Sequence, residues 1–198
     1  MKKFLLKEHF HSKNLFKEME VLTDTEVKQI YKGLEWTTKN CPNAVVIGGI
    51  ALVHYLSSSR TLTPDLDFIV DSISSLKNKL LDQNITFRGL QGDNGDVGIT
   101  VPEFNTDFLS INAGNTAINK LILKTAKKTK IGGYTIKIIL PELLAIMKIE
   151  LGREKDINDG LLLITSKVLN KEIYLEIIHK LKNYLNDYES LLSYAELI

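Results

Sequence analysis

The stretch Arg60–Val70 reads RTLTPDLDFIV, and in it Asp65 and Asp67 stand one residue apart at the head of an apolar run. A β-strand sends residues i and i+2 to the same face. A strand over Leu66–Val70 would therefore set two carboxylates side by side. Two readings answer the repulsion between them. In one, an aspartate caps a turn after Pro64 and the other faces solvent. In the other, both hold a hard divalent cation through carboxylate oxygens. The apolar run favours the second, because an unpaired carboxylate entering a core is costly.

The surrounding pattern places this strand. Thr23-Asp24 starts a helix with apolar positions at Val27, Ile30, Tyr31, Leu34 and Trp36, ending before Pro42. A short helix fits residues 4–20. Ala44–Ile47 reads as a buried strand, Gly48-Gly49 ends it, and Ile50–Leu56 as a short apolar helix. Ser72–Asp82 fits a helix with Leu76, Leu80 and Leu81 inward. Three β-type runs follow, Ile85–Arg88, Val97–Val101 and Phe104–Ile111, then Lys120–Ala126 and Tyr134–Leu140 as further strands about a Gly132-Gly133 turn. From Pro141, well placed in a first helical turn, the pattern is helical to the end. The chain divides at that point into residues 1–140, mixed α/β, and residues 141–198, helical, with no Gly/Ser-rich linker between them.

Composition sets the outer bounds. The 198 residues are 44% hydrophobic and 25% charged, an ordinary balance for a chain that buries a core. Cys41 is the sole cysteine, so no internal disulfide forms and a reducing cytoplasmic setting is expected. The N-terminal MKKFLL run is interrupted by Lys7 and Glu8, and no segment reaches the ~18 apolar residues of a membrane span. The net charge of +1 announces no nucleic-acid binder. Locally, however, no acid lies between Asp107 and Glu142, while Lys120, Lys124, Lys127, Lys128, Lys130 and Lys137 do. That window reads either as a hairpin with solvated, aggregation-resistant edges or as a surface that attracts phosphates or RNA.

The chemistry collects around the paired aspartates. In VVIGGIALVHY a strand feeds a Gly-Gly turn and then a helix. Glycines permit close approach and helix N-terminal N–H groups favour anions, although a Gly-Gly pair equally marks a plain tight turn. A third carboxylate is expected on a neighbouring strand, and FNTDFLSIN supplies Asp107. Asp93 and Asp96 compete, but GDNGD reads as a hairpin tip. Asp156 and Asp159 share one helix face, where they equally suit a helix N-terminus.

A Gly-Gly pair near a helix start, then an Arg, a Thr and D-x-D, then a lone Asp on a later strand resembles the nucleotidyltransferase superfamily related to DNA polymerase beta. More closely, the chain looks like the AbiEii-type nucleotidyltransferases, bacterial toxin halves of abortive-infection toxin–antitoxin pairs. The matching positions are Gly48, Gly49, Arg60, Thr63, Asp65, Asp67, Lys148 and Lys155-Asp156 with Asp159, spanning roughly residues 44–165. Leu62 and Pro64 loosen the spacing before the aspartates, and the chain is short for that family.

The resemblance implies an α+β nucleotidyltransferase fold, a mixed β-sheet flanked by helices, followed by a C-terminal helical bundle. It further implies that Asp65 and Asp67 hold Mg²⁺ on a nucleoside triphosphate, while Asp107 joins a second ion and activates an acceptor hydroxyl. Gly48, Gly49, Arg60, Thr63, Lys148 and Asp156 fall on the nucleotide side. The activity implied is transfer of a nucleoside monophosphate to a hydroxyl of an RNA, such as a tRNA end, or of a protein. An antitoxin is the implied partner, and a membrane is not involved. A non-catalytic module of the same fold acting through a protein partner, and a phosphotransferase, are the alternatives.

Overall fold

The computed structural model describes residues 22–56, 65–92 and 95–198, and within them every side chain except those of residues 92, 95 and 96. Arg60, Thr63, Asp93, the side chain of Asp96 and the helix expected over 4–20 lie outside the described residues.

Helix α1, Asp24–Asn40, opens with a capping box: Thr23 Oγ1 accepts from Glu26 N at 3.3 Å and Glu26 Oε2 accepts from Thr23 N at 2.7 Å. Its buried stripe of Ile30, Gly33, Leu34 and Thr37 follows the helical period, and Pro42 keeps it from continuing. Strand β1 (Val45–Ile47) runs directly into α2 (Gly48–Leu56), and β2 (Leu66–Val70) returns antiparallel to β1. Helix α3 (Ile73–Asp82) leads to a hairpin of β3 (Arg88–Gly92) and β4 (Gly95–Val101). A 3₁₀ turn, Pro102–Phe104, then feeds β5 (Thr106–Ser110). Helix α4 (Thr116–Thr125) precedes the hairpin of β6 (Lys127–Ile131) and β7 (Tyr134–Ile138).

The seven strands form one mixed sheet in the order β3-β4-β5-β2-β1-β7-β6. Pairs β1–β7 and β2–β5 are parallel and the others antiparallel. Strand alternation gives the sheet two different faces. Phe68 and Phe108 stack with ring centres 5.3 Å apart, and Trp36 of α1 meets Phe108 edge-on at 6.0 Å. The face carrying Asp67 and Asp107 is the opposite one.

Four helices follow: α5 (Pro141–Glu150), α6 (Glu154–Thr165), α7 (Lys171–Leu181) and α8 (Tyr188–Tyr194). Leu143, Leu144, Ile146, Leu163, Ile164 and Tyr174 are fully buried in the same hydrophobic cluster as Val45, Val46 and Phe68. The helical segment thus shares one apolar core with the sheet and packs against α2 and α4, and no helix among the described residues is long and apolar enough to cross a membrane.

Three local expectations are corrected. Lys120–Ala126, expected as a strand, lies mostly in helix α4. Asn115 caps that helix, its Oδ1 accepting from Ala117 N and Ile118 N, and Ile118, Leu121 and Ile122 make an i, i+3, i+4 stripe. The strand of this hairpin is instead the lysine-rich KKTKI of β6. The run Ile85–Arg88 is strand only at its last residue. Leu81 is 61% exposed, because only Leu76 and Leu80 of α3 reach the core.

Candidate active site

The two carboxylates that most concern the chemistry come from strands 40 positions apart. In the parallel β2–β5 pair, Asp67 stands directly opposite Asp107. Side chains of directly paired residues share a face, so the two carboxylates are neighbours. Asp65 precedes β2 and is exposed, and its Oδ1 accepts from Asn105 Nδ2 at 2.9 Å. Thr100, opposite Asp107 on β4, donates its Oγ1–H to Asp107 Oδ1 at 2.6 Å. That bond fixes one oxygen of Asp107 and leaves Oδ2 for other work.

Asp67 is the electrostatic centre. Burial, then the charges of Asp107 and Asp65, push its carboxyl up to about 6, while Lys148 and the Gly49 N–H pull the other way. The Gly-Gly pair explains how the backbone comes so close. Gly48 adopts φ +64°, and a Cβ there would lie 1.9 Å from Asp67 Oδ2. Only glycine fits this position sterically and conformationally. The first anion met by the Gly48-Gly49 turn is thus the Asp67 carboxylate.

Lys148 and Asp156 lie on the other wall. Lys148, on α5, is buried, with Nζ 2.5 Å from Asp156 Oδ1 and 3.4 Å from Asp159 Oδ2 on α6. Arg153 Nε contacts Asp156 Oδ2 at 2.5 Å. Burial alone would raise the Asp156 carboxyl, but hydrogen bonds and charge from Lys148 and Arg153 outweigh it and hold it below its ordinary value. Two cations thus neutralise two carboxylates where α5 meets α6.

Between these walls lies a cleft of about 970 Å³. Asp67 and Gly48 line it at the sheet, Lys148 and Arg153 at the helices, and α4 and the end of α7 close its sides. Among the described residues, no three His, Cys, Asp or Glu side chains converge into a ready ion cage. The donor chemistry still fits a hard cation. Asp67 and Asp107 are paired acceptors, and a positive charge between them would relieve the repulsion that raises Asp67. Thr100, Asn105 and Arg153 were not singled out in the sequence. Strand pairing, not spacing, brings Thr100 to Asp107.

Comparison with known proteins agrees with this architecture. A nucleotidyltransferase-like protein from Paracoccidioides brasiliensis is 18% identical, with a TM-score of 0.51 over 88% of this chain and 94% of its own. The antibiotic-resistance factor ANT(2'')-Ia is 14% identical, with a TM-score of 0.53 over 82% of this chain and 96% of its own. At such identities the likeness is one of fold: an α+β mixed sheet flanked by helices, with helices at the C-terminal end. No curated protein sequence matches the chain. Residues 25–193 match the family model described as "Nucleotidyl transferase of unknown function (DUF2204)".

Proposed function

We propose a specific activity for this chain, which belongs to the DUF2204 family of nucleotidyl transferases, within the superfamily related to DNA polymerase beta: it moves a nucleoside monophosphate from a triphosphate to an acceptor hydroxyl. The observation that carries this reading is the pairing of Asp67 with Asp107 across β2 and β5, beside the Gly48 turn and at the wall of a cleft.

In this proposal Asp67 and Asp107 hold the divalent cation, Mg²⁺, with Asp65 at the outer edge of the set. When bound, the ion would neutralise phosphate charge and polarise the reacting oxygens. The rest is done by the chain. The Gly49 N–H steadies Asp67 in its charged form, and Thr100 orients Asp107. The acceptor oxygen attacks the α-phosphorus, the bond to the bridging oxygen breaks, and pyrophosphate leaves. Asp107 Oδ2 takes the acceptor proton. Lys148 and Asp156, with Gly48 and Gly49, stand on the triphosphate side, and Arg60 and Thr63 are assigned there by resemblance. Positioning and charge neutralisation carry most of such a reaction.

Incubation with each labelled triphosphate, Mg²⁺, and either total RNA or cell lysate tests the reading. Wild type should label an acceptor, and Asp67→Ala or Asp107→Ala should lose the activity by about 10²-fold or more. Absence of both transfer and triphosphate binding would refute the enzyme and favour an interaction module.

The narrower AbiEii-type assignment, a toxin restrained by an antitoxin in the cytoplasm, is part of the same proposal. It is supported by the order of Gly48-Gly49, Asp65, Asp67 and Lys148 through Asp159 along the chain. Induced expression should then arrest growth in wild type and not in Asp67→Ala. Equal growth of the two strains would remove the toxin role.

A further inference from the structure

We infer that the triphosphate used by this site carries a base with an exocyclic amine, adenine or cytosine, read by the side-chain oxygen of Asn119. The inference rests on the transferase reading and narrows its nucleotide. Gly48 and Lys148, on the triphosphate side, line the cleft with Asp67, whereas Asp107 and Asp65 do not. The carboxylate assigned to the acceptor proton therefore lies outside the cleft. The acceptor then arrives from the Asp107 side, and the nucleoside extends into the cleft. Past Asp67, the next residue on its face of β2 is Ile69, and Leu109 stands opposite it on β5. Ala117 and Leu121 of α4, with Met147 and Leu151 at the end of α5, complete an apolar slot. Such a slot takes a flat base by its faces, and one well-placed polar group then suffices to read its edge.

Asn119 supplies that group. It is 5% exposed, the one buried uncharged polar side chain among the described residues that line the cleft. Its Nδ2 donates to Ile111 O at 3.2 Å and to Ala113 O at 2.5 Å. Both amide hydrogens are spent on backbone carbonyls. Turning the amide over would set oxygen against oxygen, so its orientation is fixed. Oδ1 has no partner among the described residues and is not sealed from solvent. The open space that Asn119 borders is the cleft. An amide oxygen left without a donor in a largely buried residue favours a ligand that brings one. The 6-amine of adenine and the 4-amine of cytosine are such donors, whereas guanine and uracil carry a carbonyl oxygen at the same position. The clamp on the turn at Ile111 and Ala113 uses only the nitrogen and places no demand on the oxygen.

Calorimetric titration in the presence of Mg²⁺ compares ATP, CTP, GTP and UTP with two probes that delete only the amine. These are purine riboside triphosphate, the counterpart of ATP, and zebularine triphosphate, the counterpart of CTP. Wild type and Asn119→Ala are measured alike. In wild type ATP or CTP should bind tightest, by about tenfold or more over GTP and UTP, and its deaminated counterpart should lose a similar factor. In Asn119→Ala the amine should cease to matter, the nucleotide and its counterpart coming within about twofold of each other. A side chain that only clamps the turn would weaken every triphosphate and leave that ratio as in wild type, which overturns the inference. Tightest binding of GTP or UTP, or equal binding of a nucleotide and its deaminated counterpart, overturns it too while leaving the transferase reading intact. Where Asn119→Ala does not fold, the wild-type series decides by itself. Binding of no triphosphate by wild type refutes the transferase reading and this inference with it.

Discussion

Burial and the neighbouring charges of Asp107 and Asp65 raise the Asp67 carboxyl from an ordinary 3.8 to about 6. The direction sets a stability test. A carboxyl raised on folding binds more protons in the folded than in the unfolded chain, so stability falls as pH climbs from about 4 to about 6 and stays low above that. Asp67→Asn removes this penalty. It should stabilise the protein by about 2 kcal/mol at pH 8, or about 4–8 °C in Tm, and give little gain at pH 4. Thermal unfolding at both pH values checks this, and a variant no more stable than wild type at pH 8 contradicts it. Gly48→Ala should act in the opposite sense, since its Cβ meets Asp67 Oδ2 at a positive φ. A loss of about 1–3 kcal/mol in urea unfolding is expected, together with lower activity. The i, i+2 spacing of Asp65 and Asp67 was plain in the sequence. That Gly48 is wedged against Asp67 was not, because the contact joins a turn after β1 to the face of β2.

At the scale of elements, α5 and α6 are joined by a buried charge cluster. Lys148 is 7% exposed, Asp156 2% and Asp159 7%. Lys148→Met would remove the shared cation from two buried carboxylates while leaving the Arg153 contact of Asp156 in place. A loss of about 3 kcal/mol in chemical denaturation is expected, and adding Asp156→Asn and Asp159→Asn should recover most of it. Failure of that rescue would mean that Lys148 contributes by packing rather than charge. The K-D-x-x-D spacing suggested a shared helix face, yet it could not tell an exposed N-terminal pair from a buried one. Helix α4 shows the reverse limit. Its Lys-Leu-Ile-Leu run suits a buried strand or a helix equally, and periodicity in so short an apolar run does not choose between them. The Asn115 cap was the local sign that a helix begins there.

Across the whole molecule one apolar cluster spans the sheet and the C-terminal helices. The division at residue 140 marks a change from strands to helices, and we propose that both segments unfold together. Residues 1–140 alone would expose the apolar surface that packs in one cluster with Leu143, Leu144 and Ile146, each fully buried. That fragment should be aggregated or molten by size-exclusion chromatography and near-UV circular dichroism, and a folded monomeric fragment would disprove it. By itself, the sequence determined most elements and the mixed α/β then helical order, because caps, prolines and hydrophobic periods act over a few residues. Only the tertiary structure decided that Asp107 faces Asp67, that Thr100 holds it, and that Lys148 and Arg153 line a cleft with Asp67. Those relations depend on strand order and register, which are set by burial of whole faces of the sheet and not by any local spacing.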